Sequence, residues 1–293
     1  MTPPATGLPA AADLLAAAIG RADWSAPALG GPRWPEPLRG DPPVLCLPMP
    51  RMTIVLAGRV RYAVSDRGAR RVVEAGPGQV LHFASNAWNL SLWSTPVRFL
   101  GVVFRPGMMR VLLADIPAGG PRGPTRTAHH TRAPLAGPAL GLLRALDGLA
   151  DLGPPEHLLG AAGDAARSLA RLAHAHLVED LAGGPASGSL RTWQEAMEHL
   201  GEHLLDDLSR TDVARAVGVH PNYLSTLCTR HGGTSFQQTV EGLRIERAKS
   251  LLRTEPDLRI AEIGRRCGFS DAGHFIRVFR RRTGHTPGRF ARS

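Results

Sequence analysis

Apolar side chains change their spacing along the chain, and each change marks a different kind of element. From Val44 to Phe104 the spacing is two: Ile54, Leu56, Val60, Tyr62 and Val64 are separated by small or charged residues, as in strands with one wet face. Asp66-Arg67-Gly68 predicts a hairpin turn before a strand at Arg71 to Glu74. Gly76-Pro77-Gly78 predicts a second turn, followed by strands at Gln79 to Phe83, Asn89 to Trp93 and Val97 to Phe104. Short strands this close together predict a small antiparallel barrel or sandwich. Ahead of them, the Pro- and Ala-rich residues 1–12 read as disordered and Asp13 to Ile19 as a short helix. Residues 107–137, broken by Pro117, Pro121, Pro124 and Pro134, read as loop, with His129 and His130 at the surface.

From Pro138 to Leu181 the spacing becomes helical. Leu140, Leu143 and Leu146 make one stripe; Leu158, Leu159, Ala162, Ala166, Leu169, Ala173 and Leu177 make another. The run Gly183-Gly184-Pro185-Ala186-Ser187-Gly188-Ser189 then has the composition of a flexible linker. Beyond it lies an amphipathic helix with Trp193, Met197, Leu200 and Leu204 on one side. The chain thus predicts an α+β protein of two domains: residues 1–182, a linker at 183–189, and an all-α domain at 190–293.

The all-α domain contains the same device twice. Over residues 208–231 a helix at Thr211 to Val217 stops at Gly218, and a second begins at Pro221, which suits a helix first turn. That second helix turns Leu224, Leu227 and Cys228 inward and His220, Asn222, Tyr223, Ser225, Thr226 and Arg230 outward. Over 258–282, Ile260, Ile263, Cys267 and Phe269 mark a short buried helix ended by Gly268. Ser270 and Asp271 cap a second helix carrying Phe275, Val278 and Phe279. Between the units, Ser235 caps a long helix with Phe236, Val240, Leu243, Ala248 and Leu251 on its apolar side. Two short helices joined by a glycine turn describe a helix-turn-helix, which sets its second helix in a DNA major groove.

Charge sharpens this picture. The chain carries a formal +10 with a pI near 11, and 35 Lys and Arg of which Lys249 is the sole lysine. Residues 244–293 hold 13 Lys or Arg against 5 Asp or Glu, a net of +8, so the excess sits around the second unit, as expected for a polyanionic partner. Cys46, Cys228 and Cys267 are scattered and fit a reducing cytosol, the latter two as core residues. Neither a signal peptide nor a membrane span is expected, which predicts a cytoplasmic protein. His174 and His176, two apart on a helix, face different ways and predict no metal site. No nucleophile–base pair or phosphate-binding glycine loop appears, and no cofactor is expected.

The order Ile260, Glu262-Ile263, Gly268-Phe269, Phe275, Arg277, Phe279-Arg280, Gly284, Thr286-Pro287 and Phe290 resembles the C-terminal signature of the AraC/XylS transcription regulators. The paired units resemble that family's DNA-binding domain across residues 190–293. By position in the family motif, base contacts fall to Asn222, Ser225 and Thr226 in the first unit and to Ala272, Gly273 and Arg277 in the second. Ala272 and Gly273 replace polar residues common in the family, often Gln and Ser, and cannot make bidentate hydrogen bonds. Direct reading in the second unit therefore shifts to Arg277 and His274. His220, Tyr223, Arg230 and Asp271 complete the expected DNA-facing set, with Arg280, Arg281 and Arg282 as phosphate contacts or a solvated face.

Residues 40–106 resemble the cupin-type sensory barrel of many such regulators, chiefly in Gly76-Pro77-Gly78 and the following Trp88. A metal-binding cupin needs three ligands. Here His82 stands alone and Asn89 occupies about the place of a later ligand, so no metal is expected. A barrel able to hold a small-molecule effector would line it with Tyr62, Phe83, Trp88, Trp93 and Arg98, with core filling as the alternative role; Arg59 and Arg61 belong on the wet face. The resemblance further implies promoter DNA as partner, a homodimer paired through the helices after the barrel, and RNA polymerase as a further candidate. Two alternatives stand beside this: a non-specific architectural DNA binder, and an alkyl-transfer repair enzyme, whose four-cysteine zinc site three scattered cysteines cannot supply.

Overall fold

The computed structural model describes residues 8–30, 45–46, 49–66, 69–85, 87–92, 95–105, 107–117, 125–135, 137–152, 156–184, 186–204, 208–255 and 257–292. Trp93 and Arg67-Gly68 lie outside them, and of Trp88 and Cys46 only the backbone is described. The chain divides into two compact units, Met1–Pro185 and Ala186–Ser293.

In the first unit a helix, α1 (Leu8–Arg21), precedes β1 (Asp23–Gly30), β2 (Leu45–Cys46), β3 (Arg51–Ala57), β4 (Val60–Asp66), β5 (Ala69–Ala75), β6 (Gln79–Phe83), β7 (Trp88–Ser91), β8 (Val97–Phe104), β9 (Met109–Ile116) and β10 (Thr125–His130). The helices α2 (Pro138–Leu152) and α3 (Leu159–Ala182) follow, the latter entered through a single 3-10 turn at Glu156–Leu158. The strands form two open sheets, β1-β6-β3-β8-β9-β10 and β2-β7-β4-β5; the alternation allowed a barrel or a sandwich, and the closed barrel that the cupin resemblance implied is not formed among the described residues. All described pairings are antiparallel except β1 with β6.

Three further expectations are corrected. Residues 8–12 belong to α1, where Ala12 and Leu15 are buried, rather than to a disordered leader. The segment 107–137 contains β9 and β10. The run Met109-Arg110-Val111-Leu112-Leu113 is apolar on both sides because β9 lies between two strands, and the flanking prolines hid it. The histidines of β10 are half-buried, and His129 Nε2 lies 3.0 Å from Oδ2 of the buried Asp180. The strand β1 was hidden by its Pro27, which an edge strand tolerates.

One apolar cluster fills the space between the six-stranded sheet and the helices. It joins Leu15, Trp24, Met52, Ile54, Leu100 and Met109 to Leu146, Ala162, Ala166, Leu169, Ala173 and Leu177. Helix α3 crosses β1 so closely that a Cβ on Gly163 would stand 1.6 Å from the Trp24 carbonyl oxygen, a contact only glycine permits. A second cluster of Val55, Tyr62, Val64, Val73, Leu81, Phe83 and Val97 lies between the sheets. At its end α3 is held by Asp180, whose carboxylate accepts from the Arg132 backbone N–H at 2.7 Å and its Nε at 3.2 Å. Arg132 also donates to the carbonyls of Asp180 and Gly183. Burial works against this carboxylate's charge, and the Arg132 and His129 bonds overcome it, leaving its pKa lowered.

The second unit is helical: α4 (Gly188–Glu202), α5 (Arg210–Ala216), α6 (Pro221–Gly232), α7 (Phe236–Thr254), α8 (Ile260–Arg266), α9 (Ala272–Thr283) and the one-turn α10 (Pro287–Phe290). Ser187 and Ser235 accept from the N–H groups of Leu190 and Gln238 and so cap α4 and α7; the last residues of the glycine-rich run thus start a helix. Helix α7 touches α6, α8, α9 and α10 and is the spine on which both helix pairs are mounted. Its fully buried Arg247 donates from Nε to the Arg266 carbonyl at 3.1 Å, satisfying an otherwise orphaned group at the end of α8.

Candidate nucleic-acid interface

Each helix pair is built from its caps inward. In the first, Ser209 and Asp212 exchange bonds in a capping box: the Asp212 N–H donates to Ser209 Oγ at 3.2 Å, and the Ser209 N–H donates to Asp212 Oδ2 at 3.0 Å. The Ser209 hydroxyl, which donates to Asp212 Oδ2 at 2.5 Å, and after it the Ser209 N–H hold the Asp212 carboxyl below its ordinary pKa. The chain leaves α5 through Gly218 at φ 69°, a left-handed turn that costs glycine nothing, and enters α6 at Pro221. His220 caps α6, its Nδ1 accepting from the Asn222 N–H at 3.2 Å. Leu224, Leu227 and Cys228 are buried as their spacing predicts, and burial pushes the Cys228 thiol up to about 11, which leaves it inert.

The outward face of α6 presents Asn222, Tyr223, Thr226 and Arg230, all exposed, with Ser225 half-buried beside them. The Thr226 hydroxyl donates to the Asn222 carbonyl at 3.2 Å, so toward a ligand it offers a methyl group and an acceptor. Ser225 Oγ donates to the Pro221 carbonyl at 3.3 Å and accepts from Arg210 at 2.8 Å, which brings α5 into the same surface. Asn222, Tyr223 and Arg230 make up the rest of the exposed polar face. His220 is exposed as well, its Nδ1 engaged in the cap.

The second pair is tighter. A Cβ on Gly264 would stand 2.9 Å from the Phe275 ring, so α8 and α9 touch through a residue without a side chain. Gly268 makes the turn at φ 82°, and Asp271 caps α9 by accepting from the His274 N–H. Phe275, Val278 and Phe279 are buried, and Phe269, Phe275, Phe279 and Phe290 stack in sequence with centroids 5.2, 5.7 and 5.5 Å apart. On α8, Glu262 is gripped by Arg265 at 2.7 and 2.9 Å and by Arg266 at 2.9 Å. These bonds, Arg265's first, lower its pKa to about 2.

The expected site residues on α9 separate into two groups. Arg277 and Arg280 are exposed, and the Arg277 guanidinium lies 3.9 Å from the Asp271 carboxylate. His274 is instead half-buried with its ring edge-on to Phe269, 5.7 Å between centroids. Arg281 bonds Oε2 of the buried Glu241 at 2.6 Å, and Arg282 donates to the Gln238 carbonyl; both are cross-braces from α9 to α7. Ala272 and Gly273 are half-buried beside Asp271. Ile276 went unnoticed in the sequence. It is 37% exposed next to Arg277, three residues on from Gly273, a spacing that already assigned it to the outward face.

In the first unit the expected ligand-lining residues are not all brought together. Tyr62 and Phe83 meet edge to face at 5.2 Å between the sheets, as core residues. Arg98 is exposed and paired with Asp115 at 3.3 Å, so it does not line the interior. Trp93 and the Trp88 side chain fall outside the described residues. His82 is fully buried with Nε2 3.1 Å from Asp147 Oδ1, and among the described residues no three side chains are grouped to hold a metal ion. Among them, too, no helix is long and apolar enough to cross a membrane.

Residues 213–293 match the model of a helix-turn-helix domain family. The chain is 30% identical over 251 residues to the uncharacterised helix-turn-helix-type transcriptional regulator YijO of Escherichia coli K12, spanning 83% of this chain and 81% of that one. It is 28% identical to the similarly described YpdC of the same organism, over 84% of this chain and 83% of YpdC. A solved regulator with an AraC-type DNA-binding domain from Chromobacterium violaceum covers 36% of this chain and 95% of its own, with 31% identity and a TM-score of 0.34.

Proposed function

Taking as premise that the chain belongs to the AraC family of helix-turn-helix transcription regulators and binds DNA, we propose that it reads one promoter sequence through α6 and α9. The observation that carries this reading is that each of these helices buries one face and exposes a polar or cationic one, on a common spine. Two such helices about one helical turn apart, ~34 Å, enter successive major grooves. On α6, Asn222 and Tyr223 supply hydrogen-bonding groups, and Thr226 supplies a methyl group and an acceptor. On α9, Arg277 is suited to a guanine edge and Ile276 to a thymine methyl, each good base contact discriminating by roughly 1–3 kcal/mol. Arg230 and Arg280 neutralise phosphates, which gives affinity without sequence information.

We further assign effector sensing to the first unit, in keeping with its resemblance to a cupin-type sensory domain, and pairing of two copies to its helices; RNA polymerase would be the target of the bound dimer. Titrating the full chain onto its own upstream region and onto shuffled DNA tests the DNA reading. The expected result is tight binding to the former only, weakening steeply with salt. Replacing Arg277 with Ala should relax the preference. Equal affinity for both duplexes would sink the specific-reader reading.

A further inference from the structure

The first helix pair is poor in positive charge for a DNA-binding surface. Residues 190–243 hold four arginines, Arg191, Arg210, Arg215 and Arg230, against seven Asp or Glu. Arg191 belongs to α4, and Arg230 lies in the last turn of α6. Arg215 turns back to Asp212 on its own helix at 3.0 Å. Arg210 takes a different course. It is the first residue of α5, it is exposed, and its side chain crosses to the neighbouring helix, where Nη1 donates to Ser225 Oγ at 2.8 Å.

The place it reaches is the opening part of α6, and the N-terminal residues of a recognition helix are those that meet base edges. Ser225 lies three residues on from Asn222 and one before Thr226, both of them exposed, while Ser225 itself is half-buried. Its hydroxyl proton goes to the Pro221 carbonyl at 3.3 Å, so it meets Arg210 with a lone pair. A serine engaged in this way has no donor left for a base. What stands over it is a guanidinium that uses one of its five N–H donors on Ser225 and presents a planar fork. That fork matches O6 and N7 of guanine. The Asp212 carboxylate, two residues along α5, is taken up by Ser209 and Arg215.

We propose that Arg210 is a specificity-determining residue, which reaches from α5 to read one guanine in the half-site facing α6, with Ser225 as the positioning residue that holds its guanidinium there. This rests on the reading of α6 as a base-reading helix and adds to it a reader from the neighbouring helix, 15 residues earlier in the chain.

The test is binding-site selection by the full chain from a pool of randomised duplexes, followed by affinities for the selected site and its single-base variants. The wild type should select a guanine whose replacement lowers affinity roughly tenfold or more. Arg210→Ala should abolish the preference at that position and keep the others, and Ser225→Ala should weaken it at the same position. Should Arg210→Ala fail to fold, Arg210→Gln, which keeps a donor for Ser225 but not the fork, is held to the same outcome. If the Arg210 variants leave every base preference in place, the proposal falls. A uniform loss of affinity, with the slope of log K against log salt reduced by about 1, would then make Arg210 a phosphate contact. Loss of the guanine preference in Ser225→Ala alone would make the hydroxyl the reader. A wild-type chain that selects no sequence sinks the specific-reader reading itself, and this proposal with it.

Discussion

At the residue scale, neighbouring arginines on α9 do different work. Arg281 holds a carboxylate that is otherwise out of water, so Arg281→Ala leaves Glu241 with the long 3.4 Å bond from Gln237 and should lower the stability of the second unit by about 1–3 kcal/mol, measured by denaturant unfolding. Arg280→Ala should leave stability unchanged and reduce the slope of log K against log salt by about 1. Equal effects from the two would erase the distinction. Glu262 offers a pH test. Its folded pKa of about 2 lies below the ordinary 4.5, so its contribution is complete above pH 4.5 and is lost as pH falls toward 2. Glu262→Gln should therefore flatten the stability of this unit across that window.

At the element scale, close approach decides what the sequence could reveal. The helix-turn-helix pairs were legible almost residue by residue, because caps and left-handed glycines are local signals: Ser235, Asp271, Gly218 and Gly268 each do what their type predicts. The sheets were legible as strands but not as an arrangement. Alternation gives a strand's faces and says nothing of whether the last strand meets the first. Both β9 and β1 were missed because a twice-buried strand has no alternation and a proline-bearing edge strand reads as a breaker. On the candidate site, spacing placed the outward residues of α9 but could not tell Arg280 from Arg281, since the partner of Arg281 lies 40 residues away. Gly264 belongs to this scale as well. An alanine there must push the Phe275 ring aside, and Gly264→Ala should cost about 1–3 kcal/mol through displaced packing of α8 on α9, read as a lowered Tm.

For the whole molecule, the distribution of charge matters more than its total. Residues 244–293 carry a net of +8, whereas residues 190–243 hold 4 Arg against 7 Asp or Glu, so the electrostatic footprint of the DNA-binding domain centres on its second helix pair. Neutralising Arg59 and Arg98 in the first unit should leave the salt slope of DNA binding unchanged within error, in contrast to Arg280. This charge is also almost wholly guanidinium. Lys249, the sole lysine, lies along α7 with its ammonium on Glu246 at 2.6 Å. Acylation, which silences many basic surfaces by capping lysine amines, has one lysine side chain to act on in this sequence. The protein's grip on DNA therefore rests on guanidiniums, which lysine-modifying enzymes leave untouched.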